Sequence, residues 1–82
     1  MDTYAIVTQL FEGESWYSFH DTVYEVTGVS ESKSTLRSFF IQLPLHIQHT
    51  AFEWGLSDTD FNQEVYQHLK EKVNGTNETT GG

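Results

Sequence analysis

Residues 15–29 read Ser15-Trp16-Tyr17-Ser18-Phe19-His20-Asp21-Thr22-Val23-Tyr24-Glu25-Val26-Thr27-Gly28-Val29, and the fold turns on how they are read. Their composition says strand, because aromatic and β-branched residues suit a pleated, half-buried surface. Their periodicity says helix. At about 100° per residue, Trp16, Phe19, Val23 and Val26 form one stripe, with Ser18, Asp21 and Glu25 opposite. Strict alternation is poor, but a short run of this kind gives ambiguous periods. The expectation follows composition: strand, with a break near His20-Asp21 that would divide the segment into two.

The flanking sequence fits the same reading. Tyr4–Phe11 (YAIVTQLF) is rich in strand formers, and Glu12-Gly13-Glu14-Ser15 is a turn signal. After Gly28 the pattern becomes helical. A helix is expected from about Ser34 to Leu43, with Leu36, Phe39, Phe40 and Leu43 on one face and Ile41 pointing elsewhere. Pro44 suits a first helical position and forces a sharp turn before it. Leu45, Ile47, Ala51, Phe52 and Trp54 then cover a broad face, and Gly55 stops that helix. Ser57-Asp58-Thr59-Asp60 supplies N-cap candidates for a last helix. Its apolar stripe is Phe61, Val65, Leu69 and Val73, with Lys70 and Lys72 in the last turn and Gly75 just past the end. Residues 74–82 (NGTNETTGG) hold nothing apolar and are expected to form a disordered polar tail. The expected fold class is α+β: one domain over residues 1–73, a small antiparallel sheet of two or three strands followed by three helices. An all-α bundle is the alternative.

Twelve acids against four bases give the 82 residues a net charge of −8. The charge is laid out unevenly. Residues 1–32 contain Asp2, Glu12, Glu14, Asp21, Glu25 and Glu31 and no base, whereas 33–52 contain Lys33 and Arg37 and no acid. Such a layout suggests a surface with one sign of field. The absence of cysteine excludes disulfides and thiolate metal sites. No apolar run approaches the roughly 18 residues of a membrane span, and no leader pattern precedes the domain, so a cytoplasmic chain without membrane contact is expected.

No catalytic signature is present, and neither an enzyme nor a cofactor is expected. There is no Gly-x-Ser-x-Gly elbow, and Gly13, Gly28 and Gly55 are isolated rather than gathered in a phosphate-cradling loop. His46, His49 and Glu53 share a helical face, but they lack the His-Glu-x-x-His spacing and a fourth ligand, so no metal is expected. Glu64 and His68 read as a helical i,i+4 pair. Direct nucleic-acid binding is disfavoured, because neutralising phosphates needs Lys and Arg. The opposite reading is open to an acidic chain: a row of carboxylates imitates phosphates and occupies the basic groove of a nucleic-acid-binding protein. Asp60, Glu64 and Glu71 form one such row on the last helix, and Glu12, Glu14, Asp21 and Glu25 form another. Ile41 and Trp16 are the candidate apolar contacts.

In being short, cysteine-free, strongly acidic and aromatic-rich, the chain resembles the small phage-encoded inhibitors of bacterial defence, the anti-CRISPR and antirestriction proteins. The segment LPLHIQHTAFEWGLSDTDFNQEVYQHL is similar to small phage reading frames. The resemblance is one of class, carried by size and charge over the whole chain, and it transfers no functional residue. It implies a protein partner with a basic surface, in a host cytoplasm. The alternative is an interaction or adaptor module, homodimeric through exposed aromatics.

Overall fold

The computed structural model describes residues 3–81, with side chains described over 4–73. Among the described residues five helices follow one another: α1 (Thr3–Leu10), α2 (Trp16–Thr27), α3 (Lys33–Gln42), α4 (Leu45–Trp54) and α5 (Thr59–Gly81). Among the described residues there is no strand, so the α+β expectation is corrected to the all-α alternative.

The correction has a local physical cause. Residues 16–27 form a single helix through His20-Asp21, and it buries Phe19 and Val23. Burying two such side chains contributes about 1.5–3 kcal/mol each. The helix penalty of Thr22, Val23, Val26 and Thr27 is at most about 0.7 kcal/mol apiece. Both threonine hydroxyls lie against carbonyls of their own helix. Thr22 Oγ1 lies 3.1 Å from the Ser18 carbonyl, and Thr27 Oγ1 donates to the Val23 carbonyl at 2.9 Å. Each is the i−4 arrangement open to a helical hydroxyl. Residues 4–10 obey the same rule, because Val7 and the following Phe11 lie four apart and both reach the core. Gly13 does sit in the expected turn, at φ 75°.

The core is one cluster: Val7, Phe11, Phe19, Val23, Leu36, Phe40, Leu43, Ile47, Ala51, Leu56, Phe61 and Val65. Phe40 is its hub. Its ring meets Phe11, Phe19, Phe52 and Phe61 at centroid distances of 6.2, 6.3, 5.6 and 6.0 Å, in edge-on or tilted geometries favoured by aromatic quadrupoles. The broad apolar face expected for α4 is narrower than its sequence suggested. Ile47 and Ala51 are buried, whereas Leu45 and Trp54 are 71% and 66% exposed.

Helix ends are closed by side chains and glycines. Ser32 Oγ accepts from the Thr35 amide at 3.2 Å, and an Asp58 carboxylate oxygen accepts from the Phe61 amide at 2.9 Å. Pro44 stands just outside α4 as its N-cap rather than within it. The buried Gln48 donates from Nε2 to the carbonyls of Leu43 (2.8 Å) and Ile41 (3.2 Å), satisfying groups exposed where α3 ends. The backbone of α5 continues to Gly81, past the stop expected at Gly75. The expectation of a polar tail over 74–82 falls where side chains lie outside the described residues.

Two packings position the surface. α2 and α5 run in the same direction: Phe19 meets Phe61 and Thr22 meets Asn62, and further along Thr27 lines a cleft with Leu69 and Lys72. α4 returns antiparallel to α5, bringing His46 beside Gln67 and Glu71.

Candidate functional site

The α5 apolar stripe turns Phe61 and Val65 inward, so the opposite arc of the helix is left to solvent. That arc separates two grooves. One, of about 450 Å³, lies between α2 and α5, and Asp21, Glu25, Gln63 and Tyr66 are in its walls. The other, of about 420 Å³, lies between α4 and α5, and its walls include His46, Gln63, Glu64, His68 and Glu71. Gln63 belongs to both. Carboxylates about forty residues apart in sequence are therefore gathered on the two flanks of one helix.

Asp21, Glu25, Asp60 and Glu71 are exposed, as expected. Glu64 departs from that expectation. It is half-buried, and its Oε1 has no exposed surface and, among the described residues, no hydrogen-bond partner. Asp60 and Glu64 are one helical turn apart, about 6 Å along the axis, and so are Asp21 and Glu25. Asp21 Oδ1 lies 3.1 Å from Nδ1 of His20, whose Nε2 is 2.8 Å from Ser30 Oγ. One base shares the arc: the Lys70 ammonium lies 5.3 Å from the Tyr66 ring centre and donates to its hydroxyl at 3.5 Å. Arg37 lies elsewhere, in a small groove between α1 and α3 with Tyr4 and Ile41. Lys33 lies over the Trp16 ring, 5.6 Å from its centre.

The remaining sequence candidates are dispersed. Glu12 and Glu14 are exposed in the α1–α2 turn and line neither groove. Ile41 is 52% exposed, off the apolar face of α3 as expected. Trp16 is half-buried against the core, close to Tyr17 (4.4 Å) and edge-on to His20 (6.3 Å). His46, His49 and Glu53 do not act together, since His46 lines a groove while the His49 ring packs edge-on to Phe52. Among the described residues no group of three His, Cys, Asp or Glu side chains is placed to hold a metal ion. Nor is any helix among them long and apolar enough to cross a membrane.

The sequence places Gln63 and His68 beside the acids of α5, but it does not show His46 and Tyr66 as their neighbours. Gln63 and His68 follow from helical spacing, but His46, Tyr66 and the α2 flank depend on which helices pack together. No family model, no curated protein and no solved structure matches this chain.

Proposed function

We propose that this domain is a protein-binding inhibitor that presents the flanks of α5 to a basic, nucleic-acid-binding surface of a host defence protein, as anti-CRISPR and antirestriction proteins do. One observation carries the reading. The parallel packing of α2 on α5 sets Asp21 and Glu25 on one flank of α5 and Glu64 and Glu71 on the other, with Asp60 exposed in its first turn; Lys33 and Arg37 are held on α3, and Lys70 is the base that shares the arc. Duplex DNA presents about one negative charge per 1.7 Å of its axis, so a groove built for phosphates is a ready receptor for such a face. The chain would need no catalytic group: occupying the groove excludes the nucleic acid.

The test is competition. The chain is titrated into complexes of duplex DNA with purified CRISPR effectors and restriction endonucleases, over a series of salt concentrations. The expected result is displacement of DNA that weakens steeply as ionic strength rises. Asp60→Lys with Glu71→Lys, both at exposed positions, is expected to fold and to lose displacement, because a close like-charge contact at an interface costs several kcal/mol. Glu12→Lys with Glu14→Lys tests the turn separately. If both double variants compete as the parent does at low salt, the acidic surface serves solubility alone.

A second reading, an adaptor module, has the exposed Leu45 and Trp54 in its favour. Its complexes would be nearly insensitive to salt.

A further inference from the structure

Of the four bases in a chain with twelve acids, Arg37 is placed differently from the other three. Lys33 lies over the Trp16 ring, Lys70 lies over the Tyr66 ring, and Lys72 has an interaction of its own. Arg37 is half-buried and, among the described residues, has neither a carboxylate partner nor any other hydrogen-bond acceptor. A guanidinium holds five N–H donors in a fixed fork, and leaving them unused away from water costs stability. Residues 33–52 contain no acid, so α3 itself supplies no anion.

Arg37 lines a groove of about 80 Å³ between α1 and α3. A water-sized occupant needs about 10–15 Å³, so there is room for a group of about five heavy atoms, the size of a tetrahedral oxyanion. Ser34 and Ser38 stand in the same wall, and both are exposed. Ser34 precedes Arg37 by three residues, the spacing of surface neighbours on a helix. Its hydroxyl has no partner among the described residues, whereas that of Ser38 donates to the Ser34 carbonyl over a long 3.4 Å. The rim is apolar, with Tyr4 63% and Ile41 52% exposed. Among the described residues no carboxylate lines the groove.

A phosphate monoester matches this set. Two of its three free oxygens suit the guanidinium fork, which binds phosphate bidentately, and the third is left for the Ser34 hydroxyl. A carboxylate, with two oxygens, would leave that hydroxyl unused. The exposed Tyr4 ring and Ile41 side chain favour a flat apolar carrier. We infer that the α1–α3 groove is a binding site for a phosphate monoester carried on an aromatic ring, with the oxyanion on Arg37 and Ser34 and the ring against Tyr4 and Ile41. The site is independent of the acidic flanks of α5: it lies on other helices and takes an anion, where those flanks would take cations.

The test uses the full chain, isotope-labelled, at constant ionic strength, with phenyl phosphate, inorganic phosphate and phenol titrated in parallel. Phenyl phosphate is expected to shift the Arg37 Nε–H signal, the Ser34 and Ser38 amides and the Ile41 methyls along one saturable curve, and to leave Lys70 and the Val65 methyls unmoved. Inorganic phosphate is expected to move the same signals with weaker affinity, and phenol to leave the Arg37 signal in place. Arg37→Gln is expected to weaken phenyl phosphate about tenfold or more, the fold-change of a lost hydrogen-bonded charge. Arg37→Lys, which keeps the charge and loses the fork, should weaken it less. Should Arg37→Gln fail to fold, Arg37→Lys decides. A peptide carrying phosphotyrosine distinguishes the source of the group: tighter binding than phenyl phosphate assigns it to a partner protein, and equal or weaker binding to a small molecule. Absence of a saturable response at Arg37 overturns the inference. So do equal shifts at Lys70, which mark ion screening, inorganic phosphate binding as tightly as phenyl phosphate, or unchanged affinity in the folded Arg37 variants.

Discussion

The Thr22 hydroxyl lies 2.8 Å from Asn62 Oδ1, joining α2 to α5. Asn62 is used at every polar atom. Its Nδ2 donates to the carbonyls of Leu56 at 2.7 Å and Asp58 at 2.9 Å, and this fixes Oδ1 as the acceptor facing Thr22. Thr22 has one hydroxyl proton, so the shorter contact to Asn62 takes it in preference to the Ser18 carbonyl. The pair therefore sets how α2 lies along α5, the relationship on which the acidic face depends. Asn62→Ala is expected to cost about 1–3 kcal/mol in urea unfolding, since it leaves the Leu56 carbonyl without its donor and removes the link between α2 and α5. Thr22→Ala should cost about 0.5–1.5 kcal/mol. In the double variant the two costs should fail to add, because the sites share one bond. Full additivity would show that the contact contributes nothing.

Phe40 is fully buried and meets four other rings. Phe40→Ala removes a ring from the centre of the cluster, at an expected cost of about 3–5 kcal/mol. That is a large part of the 5–15 kcal/mol that holds an ordinary domain together. The variant should be substantially unfolded at 37 °C by circular dichroism. Phe40→Leu, which retains most of the volume, should remain folded with a lowered melting temperature.

Two glycines end helices in different backbone regions, and the difference is measurable. Gly28 follows α2 at φ 74°, ψ 9°, in the left-handed region, and Gly55 follows α4 at φ 98°, ψ 167°. At both a Cβ would meet nothing within 4 Å, so the cost of substitution is backbone strain alone. Gly28→Ala is expected to cost about 1–2 kcal/mol, and Gly28→Asn less, because asparagine tolerates that region. The region at Gly55 is open essentially to glycine only. Alanine and asparagine there should both be more costly, with no rescue by asparagine. Equal costs at the two sites in thermal unfolding would contradict this.

Glu64 should be a burden on the fold. It is half-buried with an unpartnered oxygen, one turn from Asp60, and like charges at i,i+4 repel. Glu64→Gln is therefore expected to leave stability unchanged or to raise it by up to about 0.5 kcal/mol. Added sodium chloride should raise the melting temperature of the parent, by screening self-repulsion in a chain of net charge −8, and should do so less in the variant. A loss of stability above about 1 kcal/mol would mean that the carboxylate is held by a favourable partner.

The amino-acid sequence by itself determined the helices after Gly28, to within a residue or two of where each begins. Ser32, Pro44 and Asp58 mark helix starts, and Phe61 and Val65 repeat at the helical period, all by local chemistry. It also held the evidence for α2, in the stripe of Trp16, Phe19, Val23 and Val26. Composition outweighed that stripe because strand propensity is a property of single residues, whereas burial of Phe19 and Val23 exists only once α5 and α3 are in place. Tertiary structure alone decided that Asp21 and Glu25 flank the same helix as Asp60 and Glu64, that Leu45 and Trp54 face outward, and that Glu64 is half-buried. Charge spacing along one helix follows from 1.5 Å per residue, but the meeting of two helices is set by which apolar faces fit each other, and no local period records it.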